Sequence, residues 1–234
     1  MRIRTLLGLL LVLLAGIVRA QGPTLTISTN NTPQDRKALE LLSKEAFQRA
    51  GLTFQLDRNP SARSLDLANE GHIDGEGLRV GGLEQQYPNL VAVPERYMGI
   101  SFVAFARDPS IKLDQGWSSL KPHRIAFING WKLFEAHAAG AQSVTKVDKP
   151  DQLFKMLEAN RIDLALYTLT DGMTVLKELG MTGIAPLKPA LRDADMYLYL
   201  NKKHLPHVPR IAQALKDMKA DGTYAKIMAP VSPP

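Results

Sequence analysis

The chain has 234 residues, 45% hydrophobic and 22% charged, with 17 glycines, 15 prolines and no cysteine. This is an ordinary globular composition, which excludes collagen-like, disordered and coiled-coil chains. The missing cysteine excludes disulfide scaffolds, thiolate nucleophiles and Cys-ligated metal sites, and the excess of 29 basic over 23 acidic residues is too small and too scattered for a nucleic-acid surface.

The chain opens with Arg2 and Arg4, then an apolar run from Leu6 to Val18, then Val18-Arg19-Ala20 with small residues at the −3 and −1 positions of a cleavage site. Such a run is too short for a bilayer of ~30 Å, which takes about 20 helical residues. Residues 1–20 therefore read as a secretory signal peptide, and the mature chain as an exported, periplasmic protein. Without Arg2, Arg4 and Arg19 it keeps 26 basic residues against 23 acidic ones, a weakly basic surface.

Strand and helix signals then alternate. Leu25 to Ser28 reads as a strand, and Thr32-Pro33 as the cap and first residue of a helix. That helix carries Leu39, Leu42, Ala46 and Phe47 on one face and stops at Gly51. Leu52 to Leu56 reads as a second strand, Ser61 to Glu70 as a second helix ending at Gly71, and Ile73 to Glu76 as a short strand. Leu90 to Val93 and Ile100 to Ala106 are apolar strands, the latter buried on both faces.

The pattern then starts again. Arg124 to Ile128 is a strand, Gly130-Trp131 opens a helix, and Ser143 to Val147 is a strand. Pro150 starts a helix ending at Asn160, Ile162 to Tyr167 is a strand, and Thr170 to Leu179 a helix closed by Gly180. Met196 to Leu200 is the last strand and Pro209 starts the last long helix. Ala68-Asn69 before Ile73-Asp74 echoes Ala159-Asn160 before Ile162-Asp163, as two similar α/β lobes would show. Open α/β sheets hold ligands beyond the carboxyl ends of their strands, so two facing lobes make a cleft between them.

The leader, the two-lobe order and the C-terminal Asp221-Gly222-Thr223-Tyr224-Ala225-Lys226-Ile227 resemble bacterial extracellular solute-binding proteins of family 3. The run Arg63-Ser64-Leu65 to Ala68-Asn69, with Ile73-Asp74-Gly75-Glu76 and Arg79, resembles a divergent branch of these polar amino acid uptake receptors. The resemblance implies a type II periplasmic binding protein fold with two chain crossings, near Ala106-Arg107 and near Leu191 to Met196. Lobe 1 is then 22–106 plus 195–234, and lobe 2 is 107–194. It implies a monomer that closes on a small polar or anionic solute, amino-acid-like or a carboxylate, for delivery to an ABC-type membrane permease. A ligand sensor docking on a membrane receptor is the alternative.

The candidate ligand residues are Arg79, Arg63, Asn30, Trp131, Glu76, Tyr97, Thr168 and Asp171. A guanidinium at Arg79 can grip a carboxylate through two parallel hydrogen bonds, or be neutralised by Glu76. Arg63, near a helix N-terminus, can support an anion. Asn30 sits between the first strand and its helix. Trp131, at a helix start, can stack on a ligand, and Tyr97 can line the cleft edge. The resemblance implies an ammonium-binding aspartate five residues after Asp163, where this chain has Thr168; Asp171 lies three residues further on.

The five histidines offer only His204-x-x-His207 as a metal spacing, read as a surface loop. No hydrolase or phosphate-loop motif is present, and no cofactor is expected. A few related binding folds act as cyclohexadienyl dehydratases, for which Glu76 beside Arg79 supplies the acid and the carboxylate anchor.

Overall fold

The computed structural model describes residues 22–29 and 32–231, so the leader at 1–20 and Asn30 lie outside the described residues. Two copies of one β-α-β-α-β unit make up most of it. The first is β1 (Thr24–Thr29), α1 (Pro33–Arg49), β2 (Thr53–Arg58), α2 (Ser61–Glu70) and β3 (Gly75–Val80). Here β1 lies between β2 and β3, all parallel. The second is β6 (Arg124–Ile128), α3 (Lys132–His137), β7 (Ser143–Val147), α4 (Pro150–Glu158) and β8 (Leu164–Thr168), with β6 between parallel β7 and β8. Helix α5 (Leu169–Glu178) follows β8 directly.

Two long antiparallel strands join the units. β5 (Met98–Ala106) and β10 (Arg192–Asn201) pair with each other, β10 also with β3, and β5 also with β8. Phe102 of β5 pairs with Arg192 on β10 and with Thr168 on β8. The resulting sheet runs β2-β1-β3-β10-β5-β8-β6-β7, with β4 (Leu90–Ala92) added on β10 and β9 (Ala185–Pro186) on β5. Helices α6 (Val208–Ala220) and α7 (Thr223–Met228) pack on α1.

The repeat seen in the sequence is a repeated piece of hydrogen bonding. The carboxylate of Asp74 accepts from the Thr26 N–H at 2.8 Å, while the Asp74 N–H donates to the Thr26 carbonyl at 2.9 Å. Asp163 does the same in the second unit: its carboxylate accepts from the Arg124 N–H at 2.8 Å, and its N–H donates to the Arg124 carbonyl at 2.8 Å. Each aspartate thus ties the turn after the second helix to the central strand.

Central strands bury both faces, as β8 shows with five buried residues in a row. Leu39, Leu42, Ala46 and Phe47 of α1 are buried, as the helical spacing requires. One apolar core runs through both units, and a smaller one lies under α2 around Leu65, Leu83 and Tyr199. Among the described residues no helix is long and apolar enough to cross a membrane.

The structure corrects two local readings, at Ile73–Glu76 and at His204, and adds a helix at the C-terminal end. The strand expected at Ile73–Glu76 starts at Gly75 and runs to Val80, so Arg79 lies within it rather than after it. Its glycines hid it: a Cβ at Gly75 would sit 2.3 Å from the Tyr199 carbonyl oxygen, so the close approach of β3 and β10 needs a residue type with poor strand propensity. Asp221-Gly222 opens a separate helix, α7, through the left-handed φ of 80° at Gly222. The His204 segment is a short 3-10 helix held to the sheet, with His204 Nε2 2.5 Å from Asp74 Oδ1.

Candidate functional site

The carboxyl ends of β1, β3, β6 and β8 all point into the space between the two units. Arg79 and Thr168 stand at the ends of β3 and β8, and the segments leaving β1, β6 and β8 carry Asp35, Trp131 and Asp171. This is where an open α/β sheet places a ligand.

Arg79 is 6% exposed and Glu76 fully buried. Arg79 Nε and Nη2 donate to Glu76 Oε1 at 2.8 and 2.6 Å, and the Ser64 hydroxyl of α2 donates to Glu76 Oε2. Burial pushes the Glu76 carboxyl up from its ordinary value, against the pull of Arg79 and Ser64. Arg79 lines a cavity of about 30 Å³ with Leu78, Phe102, Trp131, Lys132 and Met196. That is room for a water molecule and too little for an amino acid.

Across that cavity, Trp131 caps α3 and is buried. Its indole stacks on Tyr167 at 4.9 Å and meets Phe102 edge-on at 6.2 Å, and its Nε1 has no hydrogen-bond partner. An orphaned buried indole N–H costs free energy unless a carbonyl or carboxylate reaches it.

Asp171 on α5 is fully buried, and its carboxylate accepts from the Gln34 N–H at 2.9 Å and the Asp35 N–H at 3.3 Å. It therefore caps α1 from the opposite unit, a role the sequence suggested for Thr32, whose side chain makes no capping bond. Asp35 is 4% exposed, and its Oδ2 is unpartnered. Thr168 Oγ1 is close to Asp35 without a hydrogen bond of normal geometry. Burial first, then the facing Asp171, push the Asp35 carboxyl well up; burial also raises Asp171.

Other expected residues fall elsewhere. Arg63 is exposed on the first turn of α2. Tyr97 is fully buried in the apolar core, its hydroxyl 2.7 Å from Ser43 Oγ on α1, and so is packed inside rather than along the cleft edge. Ser64, Tyr167 and Asp35 were missed. Asp35 had a signal, as an acid in a first helical turn, but its partner is 136 residues away. Among the described residues no group of three or more His, Cys, Asp or Glu residues could hold a metal ion.

No family model matches the chain. It is 22% identical over 214 residues to an uncharacterized protein of Shewanella oneidensis, covering 87% of this chain and 80% of that one. Among solved structures it is similar to a histidine kinase sensor domain with similarity to periplasmic binding proteins (TM-score 0.77, 15% identity, 90% of this chain and 96% of that one). It also resembles an ancestral arginine-binding protein bound to arginine (TM-score 0.71, 17% identity, 90% and 98%). A third likeness is to the GluR0 ligand-binding core from Nostoc punctiforme in complex with L-glutamate (TM-score 0.69, 15% identity, 90% and 100%). The chain has the two-lobe fold of the periplasmic binding proteins.

Proposed function

We propose that this chain is an exported binding protein whose lobes, 22–106 with 195–234 and 107–194, close on a small polar or anionic solute. β5 and β10 are the connections about which they hinge. The observation that carries this reading is the buried Arg79, held by Glu76 and Ser64 at the carboxyl end of β3 and facing Trp131 across the interlobe space. A guanidinium so oriented loses little freedom on gripping a carboxylate. The structural neighbours that bind arginine and glutamate support an amino-acid-like or carboxylate solute.

Delivery to an ABC-type permease is the role we favour, because an amino acid ABC transporter's substrate-binding protein shares the fold. Sensing is the second reading, supported by the likeness to the kinase sensor domain. Deleting the gene abolishes uptake of the bound solute in the first case, and only the cell's response to it in the second. A dehydratase reading would take its acid from Glu76, whose oxygens are bonded to Arg79 and Ser64.

The test is a thermal-shift screen of the chain from Gln21 against amino acids, small carboxylates, oligopeptides and amines. Solute at about a hundred times its Kd adds ~2.7 kcal/mol. For a chain of this size that raises Tm by about 5–10 °C. The shift is expected to vanish in Arg79→Gln, with folding checked by circular dichroism. A full shift retained in that variant, or none with any compound, overturns the reading.

A further inference from the structure

Helix α1 belongs to the first lobe and α5 to the second, and their N-termini meet through Asp171 and Asp35. Two buried carboxyl groups occupy one site there. The Asp171 carboxylate has two backbone donors, whereas Asp35 Oδ2 has none although almost no solvent reaches it. What it lacks is a donor between two acceptors. A single proton on Asp35 supplies it, turning a repulsive contact into an O–H···O⁻ hydrogen bond, and such bonds are among the stronger ones.

We propose that Asp35 and Asp171 share one proton across the lobe interface, forming a latch that favours lobe closure in acid and loosens as the pH rises. The proposal rests on the interlobe-cleft reading, since α1 and α5 must separate for a solute to enter.

The surroundings decide the sign. From α1, the Gln34 and Asp35 amides and Arg36 favour one negative charge. Arg36 itself interacts with Arg58 on β2 and Glu40 on α1, and is shared with Tyr167 of β8. From the second lobe come Asp171 and the uncharged Thr168 and Tyr167, so among the described residues Arg36 is the cation that acts on the pair. A pair carrying one proton is therefore compensated, and a doubly ionised pair is not. When the lobes part, both carboxyls meet water and return towards an ordinary value near ~4. Closing then takes up a proton at every pH between that value and the raised one of the closed form. Within that window the closed-to-open ratio falls by up to about tenfold per pH unit. For a chain exported to the periplasm, solute capture would follow external acidity.

The absence of cysteine makes the test direct. Lys44 on α1 and Lys155 on α4 have side chains 60% exposed. Both are replaced by cysteine and labelled, and the interlobe distance is read by energy transfer from about pH 4 to 8, without solute. The wild-type background is expected to lose closed population as pH rises. Asp35→Asn, whose amide donates to Asp171 without titrating, is expected to stay closed across the range. Asp171→Asn removes the facing charge but leaves Asp35 buried, so its loss of closed population is expected to begin at lower pH than in the wild type, and it provides a second variant should the first fail to fold. A flat wild-type profile overturns the latch, as does a wild-type profile in folded Asp35→Asn or an unshifted one in folded Asp171→Asn. The assay uses no solute, so a failed ligand screen leaves its result intact, and a solute that binds beside a flat profile sinks the latch alone.

Discussion

At the scale of single residues, Glu76 has the heaviest duty. It lies fully buried, with one oxygen on Arg79 and the other on Ser64, so no part of its charge is left to water. Removing it takes both Glu76 bonds from the buried Arg79 guanidinium, and breaking such a buried pair costs about 3–5 kcal/mol. Glu76→Ala is expected to lower Tm by roughly 10 °C or more in a thermal melt. Glu76→Gln, which keeps the shape and an acceptor, is expected to lose less. Equal losses would mean that packing rather than charge pairing dominates there. The sequence put Glu76 and Arg79 side by side and left open whether they serve a ligand or each other. The structure shows them bonded, with Arg79 still lining the cavity.

Elements show a different economy: close approach governs them. β3 runs between β1 and β10 with Gly75 against the Tyr199 carbonyl and Gly77 against Leu39 of α1. Backbone oxygen cannot step aside as a side-chain tip can, so Gly75→Ala forces the strands apart. A cost of about 1–3 kcal/mol is expected, the usual size for overpacking, read as a lower urea midpoint at unchanged slope. An unaltered midpoint would show that β3 and β10 tolerate a wider spacing. Helices were the most legible elements, because their 3.6-residue spacing, Pro33 and Pro150 at their starts, and Gly71 and Asn160 at their ends are local signals. β3 was the least legible, since glycine carries no pattern of its own.

For the whole molecule, acid acts in two opposite directions. The Arg124 guanidinium first, outweighing partial burial, holds Asp163 below its ordinary range. Burial pushes Asp74 up, but Thr26, Lys203 and His204 together outweigh it and hold it down. Asp221 is held down to about 2 by the amide and hydroxyl of Thr223 and by Arg49, which joins α7 to α1. Groups with depressed values stabilise the fold above their ordinary range and lose that contribution as pH falls through the depressed values. Tm is therefore expected to fall below about pH 4. Asp163→Asn is expected to flatten that fall and to lower Tm at neutral pH. A Tm that stays level down to pH 2 would refute the assignment. The Asp35–Asp171 pair works the other way, so the lobes are most firmly closed just above the pH at which the fold itself begins to weaken.

Some of this was settled by the chain alone. Periodicity, capping residues and the Ala-Asn/Ile-Asp repeat defined two like α/β units, because these signals act over a few residues and need no partner from afar. The aspartates of that repeat then proved to hold their central strands by the same pair of bonds. Tertiary structure alone decided which polar groups face each other across the lobes. Thr168 and Asp171 were judged by counting along a strand, yet Asp171 answers to Gln34 and Asp35, 137 and 136 residues away. Within each lobe, too, Tyr97 turned inward to Ser43, and Trp131 stacked on Tyr167. Such pairings join residues far apart in the chain, which no local spacing signals, and a buried charge takes whatever donor the fold brings within reach.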